Sequence, residues 1–274
     1  MDLDIDVIDA FTDKRFGGNP AAVIITEFWL SEVLMQSIAR ENNLSETAFL
    51  VPLNQDEPTC EKEARYEIRW FSPITEIAFC GHATLASAFV LFTRNPRLDI
   101  VYFNAKAVGT LPVVKLEDGS LQMDFPNTRP ESVSEIPREL LEGLSITPLE
   151  VLRNEQAYFV VYNSEEDVLK VERDNEILKR LKPYDVAVTA LSDSNQYDFV
   201  SRYFWPANGG DEDPVTGSIH TALAPFWAER LGKKTLTAFQ ASSRGGILHC
   251  TVSANHRVLI SGTGVQYLKG KITV

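Results

Sequence analysis

The chain has 274 residues, of which 44% are hydrophobic, including 15 phenylalanines, and this composition is sufficient for a packed core and excludes a disordered chain. Its 38 acidic residues exceed its 26 basic ones, for a formal net charge of −12, which excludes nucleic acid and anionic membranes as expected partners. A cytoplasmic protein is expected, because there is no long apolar run, no signal-like start and no metal spacing among Cys60, Cys80 and Cys250.

The first third of the chain reads as short strands and one amphipathic helix. Ser31 is a candidate N-cap, and the helix that it opens carries an apolar stripe and ends near Asn43, where a left-handed residue is favoured. The strands predicted from apolar runs and alternation are residues 4–10, 21–25, 47–51 and 65–71.

Two later segments predict helices that are buried on all sides. The helix that follows Gly81 has no charged residue before Arg94, so it offers no face to solvent. The segment 219–231 is nearly as apolar until Glu229.

The chain repeats its pattern at about half its length. The run RWFSP at residues 69–73 leads to the helix start at Gly81, and RYFWP at 202–206 leads to the helix start at Gly217. Hairpin-like segments follow both helices in the same register. The repeat predicts two strand-rich halves that each wrap one buried helix, with a boundary in the Pro-, Ser- and Glu-rich segment 126–148.

Each predicted buried helix begins with a glycine and a short polar residue, Gly81-His82 in one half and Gly217-Ser218 in the other. A helix N-terminus presents N–H groups and the positive end of its dipole, and glycine lets a ligand approach the backbone. If the halves pack about a pseudo-twofold axis, both starts face one cleft suited to a carboxylate or an enolate. The alternative is that the glycines only relieve tight turns and that Ser218 caps its helix.

Three further side chains are candidates for chemistry. His82 is expected to be neutral near pH 7, because the positive helix end disfavours its charged form; alternatively it is a core residue. Asp213 either caps the helix that starts at Gly217 or orients a substrate hydroxyl or amine. Glu46 stands before the apolar run 47–51, where a partly buried carboxylate suits general acid/base work, and a surface glutamate is the alternative. The histidines expected to be structural are His220, His249 and His256.

Common cofactor motifs are missing from the sequence. There is no GxGxxG at Rossmann spacing, no GxxxxGK[ST], no HExxH and no GxSxG. We therefore expect no cofactor and no metal, and cofactor-free proton transfer on a small acid.

Four motifs in order carry a family resemblance: NPAAV at 19–23, NLSETAF at 43–49, CGHAT at 80–84 and EDPVTGS at 212–218. With them the whole chain resembles the PhzF-like isomerase family of phenazine biosynthesis, which has the diaminopimelate-epimerase fold. The resemblance implies an α+β fold of two similar halves related by pseudo-twofold symmetry. Each half is a mixed, curled, barrel-like sheet around a central buried helix.

The predicted halves are residues 1–125, joined by the C-terminal strand at about 264–274, and residues 126–263. The resemblance places the site between them and makes Glu46 the group that moves a proton. It assigns the accompanying polar and helix-start positions to His82, Asp213, Ser218, Gly81 and Gly217. No counterpart of Glu46 is identified in the second half.

We therefore predict a cofactor-independent isomerase that moves a proton between carbons of a small, cyclic carboxylate, with Glu46 as general acid/base. An epimerase or racemase of a small amino or hydroxy acid, with Glu46 opposed by Cys80 or another group, is one alternative. A two-thiol racemase is disfavoured, since the counterpart of Cys80 is Thr216, which is far too weak a base. The other alternative is a non-catalytic anion-binding protein. A homodimer is expected, because members of the family are commonly dimeric.

Overall fold

The computed structural model describes residues 1–53 and 61–274, so Cys60 lies outside the described residues. The chain divides into two compact units: unit 1 is Met1–Asp124 with Ser261–Val274, and unit 2 is Phe125–Ile260. Among the described residues, no helix combines the length and the apolar character needed to cross a membrane. The domain bounds drawn from the sequence stay a prediction, because compactness alone does not make a unit fold independently.

Unit 1 is a mixed sheet with two helices. Its helices are α1 (Glu32–Asn42) and α2 (Gly81–Arg94). Its strands are β1 (Asp2–Ala10), β2 (Asn19–Ile25), β3 (Glu46–Pro52), β4 (Glu63–Phe71), β5 (Glu76–Ile77), β6 (Ile100–Ala105), β7 (Gly109–Lys115), β8 (Leu121–Pro126) and β17 (Gly264–Thr273).

The strand pairing of unit 1 alternates hairpins with helical crossovers. Strand β1 pairs antiparallel with β17 and β2, β3 with β4, β6 with β7, and β7 with β8. Strands β2 and β3 are parallel, as are β4 and β6. A parallel pair needs a long connection, and here α1 fills the first and α2 the second.

Helix α2 lies inside the curl of this sheet. It packs against β1, β2, β3, β7 and β17, which are distributed across the whole sheet, and nearly all of its residues are buried. Helix α1 covers the other face, where Met35 and Ile38 pack with Phe49 and Phe71. The predicted caps of α1 are confirmed: Ser31 Oγ accepts from the Leu34 N–H at 3.3 Å, and Asn43 is left-handed.

Unit 2 repeats most of this order of strands and helices, with one strand and one helix added at its start. Its strands are β9 (Glu131–Ser132), β10 (Glu150–Arg153), β11 (Ala157–Val161), β12 (Asp185–Leu191), β13 (Phe199–Phe204), β14 (Thr235–Gln240), β15 (Gly246–Val252) and β16 (Arg257–Gly262). Its helices are α3 (Arg138–Gly143), α4 (Glu165–Lys170), α5 (Asn175–Leu178) and α6 (Gly217–Leu231), with 3-10 turns at Lys179–Leu181 and Pro206–Asn208. The predicted boundary segment 126–148 thus contains a short strand and a helix.

Strand pairing in unit 2 reproduces the scheme of unit 1. Strand β10 pairs antiparallel with β11, β12 with β13, and β14 with β15. Strands β11 and β12 are parallel, and so are β13 and β14. Helices α4 and α5 fill the first crossover and α6 the second. The repeat seen in the sequence is therefore matched by a repeat in topology.

Helix α6 contains a proline, and the carbonyl that the proline leaves without a helical donor finds another donor outside the helix. Pro225 lacks an N–H, so it leaves the carbonyl of Thr221 without its helical donor. The N–H of Thr128 donates to that carbonyl at 3.2 Å. Further along the helix, the Trp227 Nε1–H donates to Thr189 Oγ1 at 3.0 Å and so ties α6 to β12.

His220 of α6 is a structural histidine, as expected from the sequence. It is fully buried, its Nδ1 lies 2.8 Å from the carbonyl of Thr216, and its ring stacks on Phe199. Burial lowers the pKa of His220 to about 4, although the contact with the Thr216 carbonyl raises it slightly.

We predict that His220 makes unit 2 sensitive to mild acid. Its pKa is about 6.5 in the unfolded chain and about 4 in the folded one, so the unfolded state binds the proton first. Above pH 6.5 His220 is neutral in both states and does not lower the free energy of unfolding. As the pH falls from 6.5 to 4, protonation of the unfolded state lowers the free energy of unfolding by about 3 kcal/mol. Urea midpoints between pH 7.5 and 4.5 should fall less steeply for His220→Asn than for the wild type.

The control for this test is His256→Asn, since His256 is exposed and left-handed, a conformation that asparagine tolerates. That variant should keep the slope of the wild type. Equal slopes for His220→Asn and the wild type would contradict the assignment.

Candidate active site

Glu46 is the first residue of β3 and lies beside the start of β2. The parallel register pairs Ala21 with Glu46, so the amino ends of the two strands come together. The Glu46 side chain is only 14% exposed. The alternative of a surface glutamate is therefore wrong, because the strand begins inside the unit.

His82 is the second residue of α2 and lies beside Glu46, whose Oε2 is buried and has no hydrogen-bond partner of good geometry among the described residues. Its Nε2 lies 2.9 Å from Glu46 Oε2, and its Nδ1 lies 3.1 Å from the side-chain amide of Asn19. The Ser45 hydroxyl lies 3.0 Å from the other end of that amide. Residues from the starts of β2, β3 and α2 thus form one buried polar cluster.

The charge state of His82 differs from the expectation. Burial alone would lower the pKa of His82, yet that pKa is raised well above its usual 6.5, because the adjacent Glu46 carboxylate stabilises the charged ring. The expectation of a neutral imidazole considered only the helix dipole. A carboxylate at 2.9 Å outweighs a helix end, which acts as about half a charge.

Cys80 completes the cluster as the N-cap residue of α2. Its Sγ lies 3.4 Å from His82 Nδ1 and 3.9 Å from Nε2. Burial, with a further contribution from the Glu46 carboxylate, raises the pKa of the Cys80 thiol to about 11. The sulfur is therefore a protonated thiol at neutral pH.

The positive end of the α2 helix dipole lies at the cluster formed by Glu46, His82 and Cys80. The side chain of Cys80, the N-cap residue, makes no capping hydrogen bond, and Gly81–Arg94 has no acidic residue in its first turn. The Thr84 N–H, which donates to the Cys80 carbonyl at 3.1 Å, begins the helical hydrogen bonding. Unit 1 thus brings three of the predicted site residues together: Glu46, Gly81 and His82.

The start of α6 in unit 2 is organised by a glutamine. Gln240 Oε1 accepts from the N–H of Thr216, the N-cap residue, at 2.8 Å, and Gln240 Nε2 donates to the Asp213 carbonyl at 2.9 Å. The carboxylate of Asp213 accepts from the Thr216 hydroxyl. Ser218 is the second helical residue and Thr216 the N-cap residue, so the alternative that Ser218 caps α6 is wrong.

A salt-bridged loop fixes the backbone that carries Asp213. Arg202 donates to both carboxylate oxygens of Glu212, at 2.8 and 3.0 Å. Arg173 lies 3.2 Å from the same carboxylate, and the Asp213 N–H donates to the Tyr203 carbonyl at 3.0 Å. The acidic tract before α6 is thus held by two arginines.

Ser218 is the end of a buried hydrogen-bond chain. Gln156 Nε2 donates to Ser218 Oγ at 2.9 Å and to the Tyr203 hydroxyl at 3.1 Å. That hydroxyl donates to Asp185 Oδ2 at 2.6 Å, and Asn208 donates to Asp185 Oδ1 at 2.8 Å. Burial raises the pKa of Asp185, and its two donors act in the opposite direction.

Asp185 is the counterpart of Glu46 that the sequence comparison failed to identify. Each is the first residue of the second strand in the parallel pair of its unit, and each faces an alanine: Ala21 pairs with Glu46, and Ala157 with Asp185. The expectation that Glu46 has no counterpart is wrong at the level of topology. In unit 1 the carboxylate contacts the second helical residue directly, whereas in unit 2 it does so through two side chains.

Several residues of these polar clusters were outside the sequence prediction. Asn19 belongs to the NPAAV motif, and that motif could have identified it as a candidate site residue. Tyr203 belongs to the RYFWP run, but nothing in that run indicates a contact with Asp185. The other residues of unit 2 around Ser218 and Asp213 sit in segments without a local motif, and only the fold brings them together: Gln156, Asp185 and Gln240.

Comparisons with known proteins agree with this architecture. Residues 8–270 match the profile of a family described as phenazine biosynthesis-like protein. An uncharacterised isomerase of Pseudomonas aeruginosa is 46% identical, and one of Halalkalibacterium halodurans is 39% identical, each over 99% of both chains. A crystal structure of a PhzF-family protein from Enterococcus faecalis has a TM-score of 0.91 and 42% identity, over 100% of both chains.

These matches confirm the predicted fold class, and the names of the curated relatives confirm the predicted enzyme class. The family profile spans nearly the whole chain, and the relatives are covered over nearly their full length. The chain therefore belongs to the phenazine biosynthesis-like, or PhzC/PhzF, family and is an isomerase.

Proposed function

We propose that this isomerase moves a proton between two carbons of a small, cyclic carboxylate without a cofactor, with Glu46 as the general acid/base. The observation that supports the proposal is the 2.9 Å contact between Glu46 Oε2 and His82 Nε2 at the start of α2. It joins a proton acceptor, a charged donor and a helix N-terminus in one buried cluster.

The reaction needs one base that accepts the proton and one group of donors that stabilises the negative charge left on the substrate. Glu46 takes a proton from a carbon next to an unsaturated system, so a C–H bond breaks and a carboxyl O–H bond forms. The electron pair spreads into the unsaturated system, where His82 and the N–H groups at the start of α2 stabilise it. Glu46 then returns the proton to a second carbon, and no atom is gained or lost.

A single base favours positional isomerisation over epimerisation. Removal and return of a proton on opposite faces of one carbon calls for a second base. The Cys80 thiol is a poor candidate, since its pKa is raised to about 11, and Thr216 holds the same N-cap position in unit 2. Epimerisation stays an alternative, and an experiment can distinguish it from positional isomerisation.

The other predicted residues bind and orient the substrate in this proposal. Gly81 and Gly217 open the two long helices, and their first N–H groups suit a carboxylate. Ser218 donates a hydrogen bond to the same kind of group, and Asp213 orients a hydroxyl or amine. Three expectations stay predictions: that both helix starts bind one substrate, that the protein is a homodimer, and that it is cytoplasmic.

We predict that Glu46→Gln abolishes proton exchange. Wild-type protein, incubated with a panel of cyclic and amino carboxylates in D₂O, should incorporate deuterium into at least one compound, as followed by NMR. The amide cannot accept the proton, so the exchange rate should fall by at least about 10²-fold. Binding of the compound should persist, because the shape of the side chain is kept.

The matched control is Glu67→Gln, because Glu67 is a half-buried glutamate of the same unit that accepts from Trp29 Nε1 at 2.9 Å. It should exchange at the wild-type rate. Unchanged exchange in Glu46→Gln would remove Glu46 as the base. Loss of optical activity at one carbon would favour the epimerase, and saturable binding without any exchange would favour the anion-binding protein.

A further inference from the structure

The hydrogen-bond chain that ends at Ser218 starts from a buried carboxylate held by neutral donors. Asp185 is 7% exposed, and its Oδ2 accepts from the Tyr203 hydroxyl at 2.6 Å, while its Oδ1 accepts from the Asn208 amide at 2.8 Å. Burial raises the pKa of Tyr203 above its usual value, and the carboxylate of Asp185 raises it further. The phenol therefore keeps its hydrogen and donates it to Asp185, since an ionised carboxylate can only accept.

The direction of each further hydrogen bond in the chain follows from this first one. The Tyr203 hydroxyl has a single hydrogen, which Asp185 takes, so its oxygen can only accept from the Gln156 side chain at 3.1 Å. The end of Gln156 that faces Tyr203 is therefore its NH₂ group and not its carbonyl. The same NH₂ group donates to Ser218 Oγ at 2.9 Å. Ser218 is thus an acceptor on the side of Gln156.

The backbone that carries Gln156 is itself held in place. Its carbonyl accepts from the Asp185 N–H at 3.2 Å, which joins the chain a second time. Its N–H and the N–H of Ala157 both donate to Asn154 Oδ1, at 2.8 and 3.0 Å. The Gln156 amide is therefore ordered before any ligand binds, and this reduces the entropy that binding at Ser218 would cost.

Ser218 is left with a hydrogen to donate. A serine hydroxyl has one hydrogen, and the contact with Gln156 uses only a lone pair of the oxygen. Within the part of the chain that the structure describes, the Ser218 hydroxyl donates to no acceptor. The residue is half-buried and is the second residue of α6, where a helix also presents N–H groups without helical acceptors. The hydroxyl and the helix start thus both offer donors to a ligand.

We propose that Asp185, Tyr203 and Gln156 are positioning residues that keep the Ser218 hydroxyl as a hydrogen-bond donor to the substrate carboxylate. If the Gln156 amide were reversed, its carbonyl would accept the Ser218 hydrogen, and the carboxylate would lose that donor. Tyr203 prevents the reversal, because its oxygen can accept from the NH₂ group but has no second hydrogen for the carbonyl. The inference rests on the proposed function, which makes Ser218 a substrate-binding residue.

The test is Tyr203→Phe, assayed with a compound that the wild type exchanges. Phenylalanine keeps the ring but not the oxygen, so the Gln156 amide is free to reverse. Loss of one oriented hydrogen bond should raise KM about tenfold with kcat unchanged. Ser218→Ala should have a similar effect. The double variant should be no worse than Ser218→Ala alone, since the two residues act through one contact, and a merely structural role of Tyr203 would not give that coupling.

Gln156→Met tests the chain without disturbing the buried carboxylate. Methionine has the length of glutamine but neither donates nor reverses, and the Tyr203 hydroxyl can still donate to Asp185. This variant should raise KM by about two- to tenfold, and it should add nothing to Ser218→Ala. Thermal melting shows whether Tyr203→Phe is folded, and if it is not, Gln156→Met and its double variant decide the result.

Each variant has a matched control outside the chain. Tyr162→Phe removes the hydroxyl of another buried tyrosine of unit 2, which donates to the Ile146 carbonyl at 3.1 Å. Gln36→Met removes the amide of another half-buried glutamine, which donates to the Ser72 carbonyl at 2.8 Å. Both controls should leave KM at the wild-type value.

The outcomes separate this inference from the proposed function. A raised KM in Ser218→Ala with an unchanged KM in Tyr203→Phe and Gln156→Met overturns the positioning role, and so do double variants whose effects multiply. An unchanged KM in Ser218→Ala would instead remove Ser218 from substrate binding and count against the proposed function. If a carboxylate of the panel binds but none is exchanged, the same comparison is made with dissociation constants from NMR titration, so the chain is tested even if the proposed reaction fails.

Discussion

The contact between Glu46 and His82 is the interaction on which the candidate site depends. An ionised side chain is expensive to bury unless a partner of opposite charge compensates, and His82 is 95% buried with the Glu46 carboxylate 2.9 Å from its Nε2. The contact requires the starts of β3 and α2 to meet. The parallel pairing of β2 and β3 and the position of α2 inside the curled sheet fulfil that requirement.

The two units share one scheme of strand pairing and differ in their polar residues. Both units begin a strand with a largely buried carboxylate beside a parallel neighbour, and both follow a later strand with a helix whose N-cap side chain makes no capping hydrogen bond. In unit 1 the carboxylate of Glu46 reaches the second helical residue, His82, and forms a charged pair. In unit 2 the carboxylate of Asp185 reaches Ser218 only through neutral donors, which suits orientation of a ligand more than proton transfer.

Local patterns in the sequence were enough for the helices, the helix-start glycines and the motif residues. The uncharged run after Gly81 made α2 recognisable as a buried helix, and the position of Glu46 before an apolar run indicated a buried carboxylate. The charge of His82 could not be predicted, because it depends on a carboxylate 36 positions earlier in the chain. Asp185 was missed for the same reason: its role follows from strand register, which no local pattern specifies.

The central claim is that Glu46 holds a charged His82, and NMR titration of the His82 ring measures this most directly. In the wild type the ring should titrate well above pH 6.5, and in Glu46→Gln its pKa should fall, because the carboxylate that stabilises the charged ring is gone. A His82 that titrates below pH 6.5, or that is unaffected by Glu46→Gln, would contradict the account.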